Sequence, residues 1–510
     1  MLVLNYLEKI VKHFPDKKAI TDESGSCTFS DLRRGALSIA ANIKEKYGFT
    51  RSPVLVYLPK SKESIQAFMG IVYSGNIYTP VDVNFPYSKV QGVIDVLKPA
   101  AYISDIKNAA KLHENGVDSS RIIILEDVPS RDFDASKAFG VAIDTDPAYV
   151  FFTSGSTGVP KGVTISHRSI VDYIDWAAKK FEVDEHHIIA NQAPFYFDNS
   201  ILDVYLCLKT GAHMYITPER LFAFPAALLE FLNENKINFI FWVPSVICNL
   251  ANKDAFLKID LPYLRKVLFC GEVMPNKQLN YWRKHLPNCL YANLYGPTEI
   301  TDACSFYVVD RVFSDEEPLP IGVPCENSDV FLLDENDELV TKANEQGEIC
   351  VRGSSLSMGY WNNPEKTAEV FVQNPLNPHY PEKIYRTGDL AHYNERGEIM
   401  FDGRKDFQIK HLGYRIELGE IEAAAILCSG VDAACADYDT DRQEIALFFS
   451  GEAQERELRL SLLKQLLKYM VPTRYIKIKE FPYNDNGKID RRAFKERYVK
   501  ILNAGKRDTL

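Results

Sequence analysis

Between about Ile20 and Phe407, short apolar runs alternate with stretches of helical periodicity, and that alternation leaves few architectures open. VLVYLP (54–59) leads into SKESIQAFMGIVYSG, AYISD (101–105) into KNAAKLHENG, and INFIFWVP (237–244) into SVICNLANKDAF. Apolar runs of strand length separated by helical segments predict an α/β fold, with sheets buried under crossover helices. DVFLLDENDELV (329–340) differs: alternating apolar and polar residues around D-E-N-D predict a hairpin. Pro-rich NPLNPHYPEK (374–383) predicts an ordered loop. Past Phe407 come a helical segment, IELGEIEAAAILCSG, a strand, IALFFS, and an amphipathic helix, ERELRLSLLKQLLKYM, stopped by Pro472. These last hundred or so residues are enough for a small second domain.

Composition excludes several classes. A chain of 510 residues, 46% hydrophobic and 25% charged, has the make-up of a soluble globular protein of two to four domains. No apolar run approaches the roughly 18 residues of a membrane span. The start, MLVLNYLEKIVKHFPDKKAI, predicts an amphipathic helix rather than a signal peptide, so the expected location is cytoplasmic. Ten cysteines without a C-x-x-C pair imply neither a zinc site nor a disulfide framework, and His186-His187 reads as a solvated loop. Net charge is −10, yet from Arg459 onward 14 basic side chains face 5 acidic ones. That segment is either a solvated face or a docking surface for an acidic partner. Nucleic acid is not expected, because the basic residues lack interleaved aromatics.

TSGSTGVPKG (153–162), which follows the apolar run AYVFFT, is built like an anion cradle. Gly155, Gly158 and Gly162 free the backbone to aim successive N–H groups at one anion. Thr153, Ser154, Ser156 and Thr157 add hydroxyls, and Lys161 adds a charge. It is not a Walker A loop, and the chain contains no G-x-G and no G-x-S-x-G. Alone, such a stretch is equally a surface turn.

It does not stand alone. NLYGPTE (293–299), YRTGDL (385–390), GRKDFQIKHLGYRIELGEIE (403–422) and NGKIDR (486–491) follow in order. Together with the loop they resemble the signature set of the adenylate-forming superfamily, which includes acyl-CoA synthetases, luciferases and nonribosomal adenylation domains. The resemblance implies a large N-terminal domain (1–405), a small mobile C-terminal α/β domain (406–510) and a hinge at Asp406. It also implies ATP and Mg²⁺: a carboxylate attacks the α-phosphate, pyrophosphate leaves, and a thiol then takes the acyl group from AMP. In that pattern Thr153, Ser154, Gly155, Ser156, Thr157, Gly158 and Lys161 hold the outer phosphates. Asn293, Tyr295, Gly296 and Thr298 line the nucleotide, Tyr295 offering a face to adenine. Asp389 accepts from the ribose hydroxyls, Arg404 lies near the same sugar, and Glu299 holds the metal. Lys488 is the catalytic cation bridging substrate carboxylate and α-phosphate. Lys410 and Gly413 belong to the face used in the thiol step.

FYFDNSILDVY (195–205) resembles the amino-acid-activating branch, in which an aspartate, here Asp198, pairs with the substrate's α-ammonium. Asp198 is also a plausible helix N-cap. Matching the pocket motifs adds Asn199, Leu202, Trp242, Leu268, Cys270, Leu294, Asp302 and Ala303, a set that leaves little room and implies a small side chain. LFCGEVMP (268–275) further resembles the D-alanine–carrier protein ligases, where a cysteine at the Cys270 position lines the alanine pocket. An inward-facing Asp302 would instead open the pocket to a basic or hydroxylated side chain. The expected acceptor is an acidic phosphopantetheinyl carrier protein supplied in trans. Alternatives are a free-standing adenylation enzyme for another amino acid, an acyl- or aryl-CoA synthetase, and a degenerate domain kept for binding alone.

Overall fold

The computed structural model describes residues 1–510 except 132, 156–158, 258, 407, 441, 483–488, 490 and 500–510. Among the described residues the apolar runs become two large sheets. One runs Ile122–Ile124, Ala101–Ser104, Pro53–Tyr57, Ile77–Pro80, Pro147–Thr153, Lys161–Ser166, with parallel pairing through its first five strands. The other runs Val323–Pro324, Ser305–Val308, Leu290–Tyr295, Lys266–Phe269, Phe239–Trp242, Ile188–Asn191, His213–Ile216, Lys18–Asp22, Gly25–Thr28. It is parallel in the middle and antiparallel at both ends. Parallel neighbours need long crossovers, which is why helical segments separate the apolar runs. The helices start where the sequence supplies caps. Phe29–Lys46 opens on a Thr28/Asp31 capping box, and the Ser61 hydroxyl accepts from the Ser64 N–H at the head of Lys62–Tyr73.

A third, antiparallel sheet joins Ser328–Leu333, Gln346–Gly353, Lys383–Tyr393 and Phe371–Gln373, with Ile399–Arg404 alongside Lys383–Tyr393. The hairpin expected over 329–340 is brief. The chain turns at Asp334 and makes one bridge, Leu333 to Leu339, before Ser328–Leu333 finds its full partner in Gln346–Gly353. The Pro-rich 374–382 stretch is a loop between two strands of this sheet.

The chain divides into two compact units. The first comprises Met1–Val83, Ile94–Phe152 and Gly162–Lys405. Two apolar clusters flank its nine-stranded sheet, and strand alternation sorts residues between them. Phe239, Phe241 and Leu268 join one cluster, while Ile240, Trp242 and Phe269 join the other.

The second unit comprises Asn84–Val93, Thr153–Lys161 and Asp406–Leu510. Its helix Leu418–Ile426 shares a core with the antiparallel strands Val431–Asp439 and Glu444–Gly451, the latter paired in parallel with Arg474–Lys477. The helix expected over 455–470 runs only Glu455–Gln465, and Lys468–Met470 forms a separate 3-10 turn before Pro472. Gln408–His411 and Tyr414–Glu417 form a hairpin closed by Leu412 (φ 53°) and Gly413 (φ 81°). Two consecutive positive-φ residues are what a tight two-residue hairpin turn demands, so the glycine has a structural reason apart from any role in the thiol step. No helix among the described residues is long and apolar enough to cross a membrane.

Candidate active site

In the first unit, strand Leu290–Tyr295 delivers NLYGPTE to a short 3-10 turn, Thr298–Ile300. The chain doubles back there: a Cβ on Gly296 would collide with the Asp302 carbonyl and come within 2.7 Å of the Ala303 Cα. Glu299 is fully buried, and the Tyr360 hydroxyl donates to its Oε1 at 2.7 Å. Asp389 and Arg404 stand opposite each other in the register of Lys383–Tyr393 and Ile399–Arg404. The Asp389 carboxylate accepts from the Tyr295 hydroxyl on Oδ2 and from the Arg404 guanidinium on Oδ1. Burial, and then the Asp389 charge, push the Tyr295 phenol well above its ordinary value, so it remains a donor. Tyr295, Asp389 and Arg404 thus form one hydrogen-bonded set. Asn293 Nδ2 donates to the Pro320 carbonyl at 2.8 Å, and Thr298 is buried beside the turn.

In the second unit, a Cβ on Gly155 would strike the Val159 carbonyl oxygen. The Ser154 hydroxyl donates to the Arg415 carbonyl at 2.9 Å, and Lys161 Nζ lies 3.4 Å from Glu417 Oε1. The Thr153 Oγ1 is buried without a hydrogen-bond partner among the described residues. Lys410 pairs with Arg415 in the hairpin register, and Asp406 Oδ1 accepts from the Gln408 N–H at 3.1 Å. Ser156, Thr157, Gly158 and Lys488 lie outside the described residues.

The residues expected to line an amino-acid pocket all lie in the first unit. Asp198 is buried, and its carboxylate accepts from the Asn199 N–H at 3.1 Å at the head of helix Asn199–Thr210, so the capping role is real. Leu202, Leu268, Cys270, Leu294 and Ala303 share one buried cluster with Tyr149 and Tyr173. Asp302 does not face solvent: it is buried, and the Tyr173 hydroxyl donates to its Oδ2 at 2.7 Å. Thr301 (φ 61°) and Asp302 (φ 78°) are consecutive left-handed residues, a conformation that costs energy for side-chain-bearing residues.

Trp242 lies apart from the other expected pocket residues. It belongs to the opposite cluster, with its Nε1 donating to the Ala190 carbonyl at 2.9 Å and its ring edge-on to Phe222. Phe241 is the strand neighbour of Leu268. One residue of register inverts every face of a strand, and INFIFW is apolar at both parities, so sequence alone gives no sign of which phase is right. Tyr173 and Tyr360, whose hydroxyls donate to Asp302 and Glu299, also escaped the motif reading. Their signal was only that each is a buried tyrosine, a residue whose hydroxyl ordinarily finds a polar partner.

Glu299 suits Mg²⁺. Among the described residues no three His, Cys, Asp or Glu side chains cluster as a metal cage. Mg²⁺ rarely uses such a cage, taking one or two carboxylates and completing its shell with phosphates and water.

Residues 7–361 match the family of AMP-binding enzymes. The chain is 32% identical over 514 aligned residues to the D-alanine–D-alanyl carrier protein ligase of Bacillus anthracis, covering 96% of this chain and 98% of that one. It is 31% identical to tyrocidine synthase 1 of Brevibacillus parabrevis, covering 96% of this chain but only 44% of that much longer protein. The fold matches the Vibrio cholerae adenylation domain AlmE, solved with glycyl-adenosine-5'-phosphate, at a TM-score of 0.84, 22% identity and 98% coverage of both chains. With this match over most of its length, the chain belongs to the AMP-binding family of adenylate-forming enzymes.

Proposed function

We propose that the protein activates a small amino acid as its aminoacyl-AMP and passes it to the phosphopantetheine thiol of a separate carrier protein. The observation that carries this reading is Asp198, a buried carboxylate beside an otherwise apolar cluster. An α-ammonium buried without a partner would be costly, and a carboxylate at this position supplies one, which a fatty or aryl acid does not require. In the first step a substrate carboxylate oxygen bonds to the α-phosphorus as the bond to pyrophosphate breaks. In the second, the thiolate attacks the acyl carbon and AMP leaves. Both steps bring anions together, so neutralising charge is the main task. Lys488 is assigned the bridging cation between the two reacting groups. Lys161 and the 153–158 loop hold the outer phosphates, Glu299 holds Mg²⁺, which when bound draws charge from the phosphate oxygens, and Tyr295, Asp389 and Arg404 hold the nucleoside. Residues 1–405 and 406–510 are the proposed working halves, with Asp406 as the hinge and Lys410 acting in the thiol step.

D-alanine is the first candidate substrate, supported by the name of the Bacillus anthracis relative and by Cys270 in the buried cluster. The basic excess after Arg459 suits an acidic carrier. The test is amino-acid-dependent pyrophosphate release across both enantiomers, followed by acceptor competition between coenzyme A and a phosphopantetheinylated carrier. Amino-acid dependence with transfer to the carrier is expected. Turnover confined to fatty or aryl acids with coenzyme A would overturn the reading.

A further inference from the structure

Within the second unit, one ion pair joins the last two sequence motifs. Glu422 closes GRKDFQIKHLGYRIELGEIE on helix Leu418–Ile426, and Arg491 closes NGKIDR at the head of the short helix Arg491–Phe494. Arg491 Nη2 donates to both Glu422 oxygens, and the two side chains are only 19% and 14% exposed. Both also reach Val431–Asp439, an edge strand of its three-stranded sheet. The Ala436 N–H donates to Glu422 Oε1 at 2.7 Å, and Arg491 Nη1 donates to the Ala436 carbonyl at 3.4 Å. The two side chains thus satisfy both polar groups of one edge peptide. A part-buried, charge-assisted pair with backbone partners holds one geometry, unlike a lone surface salt bridge.

What that geometry fixes follows from the chain itself. Arg491 comes three residues after Lys488, so covalent reach keeps their Cα atoms within about 11 Å. Lys488 lies outside the described residues, but the chain on either side of 483–488 is packed. Phe481, before that stretch, and Phe494, after it, are both buried, with ring centroids 5.7 Å apart. Ile489 packs against the same cluster. Apolar packing has no direction, whereas the guanidinium and carboxylate fix orientation as well as place. Resting on the adenylation role assigned to Lys488 above, we propose that Glu422 and Arg491 are positioning residues that set where this lysine acts in the first step.

The test is ATP–pyrophosphate exchange by the full chain, with the carboxylic acid that the wild type adenylates fastest. Glu422→Gln and Arg491→Gln should each lower kcat by about a hundredfold, the cost of a misplaced catalytic group, with both KM values unchanged. The double variant should be no slower than either single one, because all three lack the same pair. Arg474→Gln is the control. Arg474 lies 3.6 Å from Asp439 on the same edge strand but belongs to strand Arg474–Lys477, so its loss should leave kcat at the wild-type value. Wild-type kcat in Glu422→Gln and Arg491→Gln, a rise in KM in place of a fall in kcat, or an equal loss in Arg474→Gln overturns the proposal. With Lys488→Ala inactive, each of those results leaves the role of Lys488 standing. Wild-type exchange by Lys488→Ala overturns both. Should Arg491→Gln fail to fold, Arg491→Lys, which keeps the charge but loses the planar fork, is read by the same kcat and the same criteria.

Discussion

Single side chains carry the chemistry, and their roles separate under mutation. Asp198 caps a helix and, in the proposed reaction, receives the substrate ammonium. Losing a cap costs about 1 kcal/mol of stability, whereas stripping a buried charge of its partner costs about 3–5 kcal/mol. Asp198→Ala should therefore lower amino-acid kcat/KM by about a hundredfold or more with little change in ATP affinity, measured by pyrophosphate exchange. Unchanged kinetics would reduce Asp198 to a cap. Lys488→Ala should abolish adenylate formation yet still bind ATP by calorimetry, and loss of binding would contradict the bridging role. The motifs that carry Glu299, Asp389 and Arg404 were legible because they come in a fixed order. The bonds Tyr360–Glu299 and Tyr173–Asp302 were not: they join residues 61 and 129 positions apart, and no local pattern records such pairs.

Strands and helices follow local rules until a competing partner intervenes. The runs at 54–59, 101–105 and 237–244 are strands because each is bounded by turn residues and followed by a capped or proline-led helix. The 329–340 hairpin is cut short because Gln346–Gly353 offers Ser328–Leu333 a longer ladder than its own return segment. The helix at 455–470 ends at Gln465, and Leu466 and Met470 are buried beyond it, outside the helix. The Phe241/Trp242 pair turns strand phase into an experiment. Trp242→Ala should cost about 3–5 kcal/mol in urea unfolding without changing which amino acid is preferred. Phe241→Ala should shift preference toward larger side chains in the exchange assay. The reverse outcome would place Trp242 at the substrate.

Across the whole chain, strand–helix alternation announced the layered α/β architecture, because parallel sheets cannot be built without crossovers. The composition of the second unit was not legible, because Asn84–Val93 and Thr153–Lys161 belong to it through contacts distant in sequence. Global stability should also respond to acid through His167, buried at the start of helix His167–Lys180. Burial lowers its pKa from 6.5 to about 4, and the Val3 N–H points at its Nδ1 at 3.5 Å, which requires that nitrogen unprotonated. The unfolded chain takes up this proton near pH 6.5 and the folded one only near 4, so the stabilising contribution is complete above 6.5 and is lost as pH falls toward 4. The loss is about 3 kcal/mol. Urea midpoints at pH 7.5 and 4.5 should fall less steeply with pH in His167→Gln than in the wild type, and identical slopes would exclude this histidine.

The most direct test of amino-acid adenylation needs no carrier. The full chain is incubated with ATP, Mg²⁺ and an equimolar mixture of amino acids, short fatty acids and aryl acids, then quenched for mass spectrometry of the adenylates. Aminoacyl-AMP in amounts matching released pyrophosphate is the predicted result. Adenylates of fatty or aryl acids alone, with none from any amino acid, would contradict the account.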